Sequence, residues 1–225
     1  MINNLKLGFR TLKFAHAVKS TAILGVIIFI LGEAMCLLNH WSPLNGGLPG
    51  GYFFMLAVLF MIQLLYSVNM SNLVQSSPVK KKLQTSVPAT MSTFCMLTAY
   101  LLVLATEGFV AYKRPERIGI VCVHIAFTVI IMALIMLYTA VCYKYFFGGT
   151  ILFFAVFFIS YGYLMNGEGW LVRFQEGGWS VFARIGILGA AVLLAFGVLQ
   201  YLLSLAVYRA PMSKRAQSAS LRRQL

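Results

Sequence analysis

The stretch IGIVCVHIAFTVIIMALIMLYTAVC, residues 118–142, contains one imidazole, His124, and no lysine, arginine or carboxylate. As a helix rising ~1.5 Å per residue it is longer than the ~30 Å hydrocarbon layer of a bilayer. Backbone polar groups inside hydrocarbon are satisfied only in helices or closed barrels, and a run this long implies a helix. Working outward, comparable apolar runs occupy residues 20–39, 51–70, 90–112, 146–165 and 181–208. The composition agrees: 60% of the 225 residues are hydrophobic and 10% are charged, with a mean hydropathy of +0.85. The expectation is an all-α integral membrane protein with six transmembrane helices filling residues 20–208. The connectors are too short for a soluble domain. The first run is too long, and too poor in a small-residue cleavage site, for a removed signal peptide.

The net charge of +13 reads as orientation and lipid attraction rather than nucleic-acid binding. With an even number of spans both termini share a side. Placing them in the cytoplasm puts Lys6, Arg10, Lys13, Lys19, Lys80, Lys81, Lys82, Lys144, Arg209, Lys214, Arg215, Arg222 and Arg223 inside, thirteen of the eighteen basic residues, and no carboxylate side chain. The positive-inside rule therefore sets both termini in the cytoplasm. The segment KRPER, 113–117, is the exception and falls outside. Trp41, Trp170 and Trp179 fall in the longer outer loops, at the headgroup level that indoles favour. Cys36, Cys95, Cys122 and Cys142 lie within spans at no metal or disulfide spacing, and read as small packing residues.

Residues 1–19 carry Ile2, Leu5, Phe9 and Leu12 on one helical stripe and Lys6, Arg10 and Lys13 on another. This is the pattern of an amphipathic helix lying in the inner interface. It either orients the first span by its charge or offers a contact surface to a cytoplasmic partner. The tail, 209–225, is basic, polar and broken by Pro211, which suits anionic lipid or disorder.

Between the second and third runs lies SNLVQSSPVKKKLQTSVPAT, residues 71–90, polar and basic where its surroundings are apolar. Leu73, Val74, Val79, Leu83 and Val87 give it a broken apolar side, and Pro78 suits the start of a helical turn at Val79. Its lysines either anchor a cytoplasmic loop, 71–89, or belong to a short surface helix gripped by a cytoplasmic protein.

An amphipathic amino-terminal helix, six spans and a first cytoplasmic loop containing SSPVKKKLQT together resemble the membrane subunits of ABC-2-type exporters. The resemblance implies that this loop is the coupling helix docking on a separate ATP-binding subunit. Ser77, Pro78, Val79, Lys80, Lys81 and Lys82 match the motif, and Val74 and Leu83 complete the candidate docking side. It further implies a homo- or heterodimer of permeases in a bacterial plasma membrane. ATP and magnesium would sit on the partner subunit, with no cofactor on this chain. GEGWLVRFQEGGWS, 167–180, matches the family's re-entrant outer helices in place, though it is shorter. The implied function is ATP-driven export of an amphipathic peptide, a lipid-like molecule or a hydrophobic drug. The alternative is a stand-alone membrane protein with an immunity or scaffold role and no ATPase.

The chemistry of other classes is missing from the sequence. There is no G-x-x-x-x-G-K-[ST], and the glycine-dense NGGLPGGY at 45–52 lacks a lysine, so it reads as a turn rather than a phosphate cradle. His16, His40 and His124 are too scattered for H-E-x-x-H, no G-x-S-x-G elbow occurs, and no helix carries paired glutamates. The chain is expected to be neither an enzyme nor a metal protein.

Burying ionisable groups in lipid costs at least ~2.5–3.5 kcal/mol each on insertion scales. Glu33, Glu107, His124 and Arg184 nevertheless fall within about 10 Å of the outer surface on four different spans. Their charges are complementary. They form either a structural ion-pair cluster or an outer gate or substrate contact. Gln63 and Gln200 lie deeper, where they either hydrogen-bond between helices or line a path. Phe153, Phe154, Phe157, Phe158 and Tyr161 recur at helical spacing, with Phe154 and Phe158 as pathway candidates against a packed or lipid-facing role. Ala183, Gly186 and Ala190 offer a small-residue face for close helix contact.

Overall fold

The structure, a computed structural model, describes residues 2–12, 18–41, 76–141, 144–165 and 168–210. The expected second span, the first part of the basic loop with Leu73 and Val74, Gln63, and the tail beyond Ala210 lie outside these residues. In chain order come α1 (Ile2–Leu12), α2 (Val18–Trp41), α3 (Lys80–Gln84), α4 (Ser86–Lys113), a 3-10 turn (Pro115–Arg117), α5 (Ile118–Val141), α6 (Phe146–Met165) and α7 (Glu168–Tyr208). Three helical stretches among the described residues, Lys80–Lys113, Pro115–Val141 and Arg173–Tyr208, are long and apolar enough to cross a membrane. The protein is on that ground a helical membrane protein. Helices α2 and α6 cover the first and fifth apolar runs.

The stretch quoted first becomes α5, and it is the hub. It packs against α7, α4 and α6, so its buried residues run round the whole helix: Val121, Cys122, Ile125, Phe127, Ile131, Met132, Ile135 and Met136 are all sealed. A helix apolar on every face suits a position surrounded by other helices. Helix α2 is peripheral and meets the bundle through α4, with Phe29 packed on Val103.

Close approach of α7 to α4 and α5 depends on glycines. A Cβ at Gly189 would strike the Tyr100 ring, 2.8 Å from its Cζ, and Val129 at 2.8 Å. One at Gly186 would sit 3.3 Å from Leu104. Tyr100 uses the space to donate its hydroxyl to Gly186 O at 3.0 Å. The small-residue face thus runs through Gly186 and Gly189, while Ala183 is exposed and Ala190 only partly buried.

Glu168–Tyr208 is not one smooth helix: Gly178 has φ 52 and ψ −139, a conformation that glycine accommodates without a Cβ penalty. The segment expected to form re-entrant outer helices is therefore a single helical piece ending at this bend. Gln175 ties it to the neighbouring turn, accepting from Gly119 N at 2.8 Å and donating to Pro115 O at 3.2 Å. That pair satisfies one of the orphan amides at the start of α5.

Candidate functional site

The loop helix is built from its own sequence. The Ser77 hydroxyl accepts the amide of Val79 at 3.3 Å, and Lys80 N donates to Ser77 O at 3.0 Å. This serine turn passes through Pro78 and delivers the chain into α3. Helix α3 stops after five residues because Pro88 follows. Continued through Thr85, the helix would bring the Pro88 ring against Gln84 O with no N–H to offer it. The backbone breaks at Thr85, φ −124 and ψ −77, and restarts as α4 with Pro88 in its first turn, where a missing N–H costs nothing.

Two residues of the apolar side expected to dock a partner, Leu83 and Val87, are covered by the protein itself. Leu83, Val87 and Met91 are buried under Leu5, Leu7 and Leu12 of α1. Gly8 lets α1 come this close, since a Cβ there would collide with Met91 and lie 3.1 Å from Val87. An isolated helix as short as α1 is marginal in water. Its leucines, each worth ~1.5–3 kcal/mol when fully buried, are what hold it here. Leu83 is thus an internal contact in this structure, 5% exposed. Val79 remains 39% exposed; Pro78, Lys81 and Lys82 are exposed, and Ser77 and Lys80 are half-buried.

Lys144, in the turn between α5 and α6, is only 7% exposed. Its ammonium donates to Tyr208 O at 3.3 Å and to Ala210 O, closing the carbonyl end of α7 with a cation as helix polarity favours. Burial, and then the nearby charge of Lys80, hold Lys144 below the usual lysine range. The loop helix, the α5–α6 turn and the end of α7 therefore meet at one end of the bundle.

A little further into the bundle, Gln200 is 1% exposed. Ser92 Oγ donates to its Oε1 at 2.7 Å, and its Nε2 donates to Thr139 Oγ1 at 2.8 Å. The amide bridges α4, α7 and α5, so of the two roles open to it the structure shows the interhelical one. Nothing in the sequence marked Ser92 or Thr139, because serines and threonines in spans are common and mostly bond their own preceding turn. Both also do so here, to Pro88 O and to Ile135 and Met136 O.

At the opposite end the expected cluster is partly assembled. His124 Nδ1 lies 3.5 Å from Glu107 Oε1, and Glu107 is 2% exposed. Thr106 donates to Glu33 Oε2 at 2.5 Å, which brings α2 to the same layer; Glu33 Oε1 has no hydrogen-bond partner among the described residues. Arg184 does not join. It is exposed, and among the described residues it pairs with none of the other three. Thr106, the residue that ties Glu33 in, was missed because threonine carries no charge to flag it.

Phe154 and Phe158 are 38% and 59% exposed and stack on each other at 6.3 Å. Phe153 is the buried member, tilted on Tyr138 at 5.3 Å, where the Tyr138 and Thr150 hydroxyls share a hydrogen bond. Trp179 is exposed beside Phe182 at the α7 bend. Cys95 and Cys122 are free thiols. No group of metal-binding side chains occurs among the described residues. Comparison with protein-family models, curated proteins and solved structures yields no match to this chain.

Proposed function

We propose that the chain is the transmembrane permease subunit of an ATP-driven ABC exporter. A separate subunit would bind ATP and magnesium, and two permeases, identical or different, would enclose the path for an amphipathic peptide, lipid-like or drug-like cargo. The membrane is the bacterial plasma membrane, crossed six times, with both termini cytoplasmic. The observation that supports this reading is the clasp of α1 on the α3–α4 junction. Together they form a two-helix platform at one end of the bundle, whose outward side carries Val79, Lys81 and Lys82 and the exposed Phe9 and Ile2. A load on that platform passes directly into α4, because α3 is joined to it by a single residue, Thr85.

The test is Val79→Asp. Its side chain is exposed, so the fold should be unaffected, while capture of a co-expressed ATP-binding subunit and stimulation of its ATPase by reconstituted permease should fall at least tenfold. Equal capture and equal stimulation would remove the docking role. That result would leave the second reading, a stand-alone membrane protein, which the covering of Leu83 and Val87 by the chain's own α1 favours.

A further inference from the structure

Residues 168–177, the helical piece ahead of the Gly178 bend, are held differently from the amino-terminal helix. Among their described side chains Phe174 packs against the hydrophobic core, while Arg173, Gln175 and Glu176 are exposed. The Gln175 amide ties the piece down, accepting from Gly119 N and donating to Pro115 O. Helix α1, by contrast, is fixed by three leucines. A segment with few buried apolar contacts, tied by hydrogen bonds near solvent, belongs to the low-stability end of a fold.

The joint is a single residue. Gly178, with φ 52 and ψ −139 between two helical pieces, sits in a region of backbone space open in practice to glycine alone. A Cβ there would meet nothing within 4 Å, so its surroundings leave it room to turn. Just beyond it Phe182 lies over Gly108, where a Cβ would be 3.3 Å from the ring. The bend is thereby anchored on α4 beside Glu107.

Under residues 168–177 lies the start of α5. Gly119, which Gln175 grips, and Cys122 are three residues apart and share a helix face. Cys122 is fully buried, and His124 stands two residues further in, 3.5 Å from Glu107. We propose that residues 168–177 are a lid on this end of the bundle, hinged at Gly178 and latched by Gln175, whose opening admits water and small polar molecules to Cys122 and the Glu107–His124 pair. Opening is a rotation at Gly178 that exchanges both Gln175 bonds for bonds to water. The latch is weak because solvent replaces each bond given up. The lid needs neither an ATPase nor a second copy of the chain, so it stands or falls apart from the permease reading.

The experiment uses the full chain in phosphatidylcholine nanodiscs, treated with a charged, water-soluble methanethiosulfonate. Modification of Cys122 and of Cys95 is followed over time by peptide mass spectrometry. Cys122 reports on the lid, and Cys95, roughly 18 Å along α4 from Glu107, reports on the rest of the bundle. Gln175→Leu removes both latch bonds, and Gly178→Ala disfavours the bend. Each should speed modification of Cys122 about tenfold over wild type, with Cys95 unchanged. Gly148→Ala, at a glycine whose Cβ also meets nothing within 4 Å but whose φ is ordinary, should leave both cysteines at the wild-type rate. An unchanged Cys122 rate in either lid variant would overturn the lid. So would a parallel rise at Cys95, the mark of general loosening, or a rise at Cys122 in Gly148→Ala.

Discussion

The two polar layers of the bundle, one near each end, are built on opposite principles. At the end carrying α3 and Lys144, Ser92, Gln200 and Thr139 exchange hydrogen bonds across three helices with no net charge. At the other end, Glu33, Thr106, Glu107 and His124 bring two carboxylates and an imidazole into one layer, and one oxygen of Glu33 has no hydrogen-bond partner among the described residues. A neutral, completed network is a fastener: it holds helix register and has nothing to offer a ligand. A charged, incompletely bonded one is strongly sensitive to what approaches it, since charge in low dielectric is expensive to leave uncompensated. If a substrate or gate acts on this protein through polar side chains of the spans, the Glu107 layer is the place.

The largest effect should come from neither layer but from the clasp beside the first. Leu83→Asp places a carboxylate among Leu5, Leu7 and Leu12 and should cost about 3–5 kcal/mol. Its signature is release of α1, read as rapid amide hydrogen exchange over residues 2–12. Slow exchange in the variant would show that those leucines do not hold α1 in place.

Glu107→Gln comes next. It removes the negative charge facing His124 while keeping the shape, and should lower stability by about 2–3 kcal/mol, with any transport activity falling in parallel. Gln200→Leu should cost only about 1 kcal/mol, because Ser92 and Thr139 each retain a backbone acceptor and interhelical hydrogen bonds in membranes are individually weak. Thermal unfolding of the two variants side by side checks the contrast. A Gln200→Leu loss equal to that of Glu107→Gln would erase the distinction between fastener and charged layer. Val79→Asp is the smallest, within about 0.5 kcal/mol of wild type, as for most surface substitutions. Any larger loss of stability would mean that Val79 is a packing residue and that its docking test measures folding instead.

Arg184 shows what a linear reading of depth leaves out. Counting residues from a span end places a side chain along the membrane normal at ~1.5 Å per residue, and by that measure Arg184 belongs with Glu33, Glu107 and His124. Which way it faces around the helix axis depends on how α7 is rotated against its neighbours. Gly186 and Gly189 set that rotation by admitting Leu104 and Tyr100, and it leaves Arg184 on the exposed side. Leu83 teaches the same lesson at the loop. Its apolar character was legible, but whether it would meet a partner or the chain's own amino terminus was not, because the choice rests on a contact between segments some 70 residues apart.

The sequence alone determined that this is a helical membrane protein, that residues 118–142 are long and apolar enough to span a bilayer, that the amino-terminal segment is an amphipathic helix, and that a short helix opens just after Pro78. Each follows from local rules: apolar length, helical period, and the amide that proline lacks. Only the tertiary structure decided which polar residues meet. Ser92, Thr106 and Thr139 drew no attention as single letters, because an uncharged or commonplace side chain acquires meaning only from the group placed opposite it. That placement depends on helix rotation and on the glycines that permit close approach, and neither is encoded within one segment.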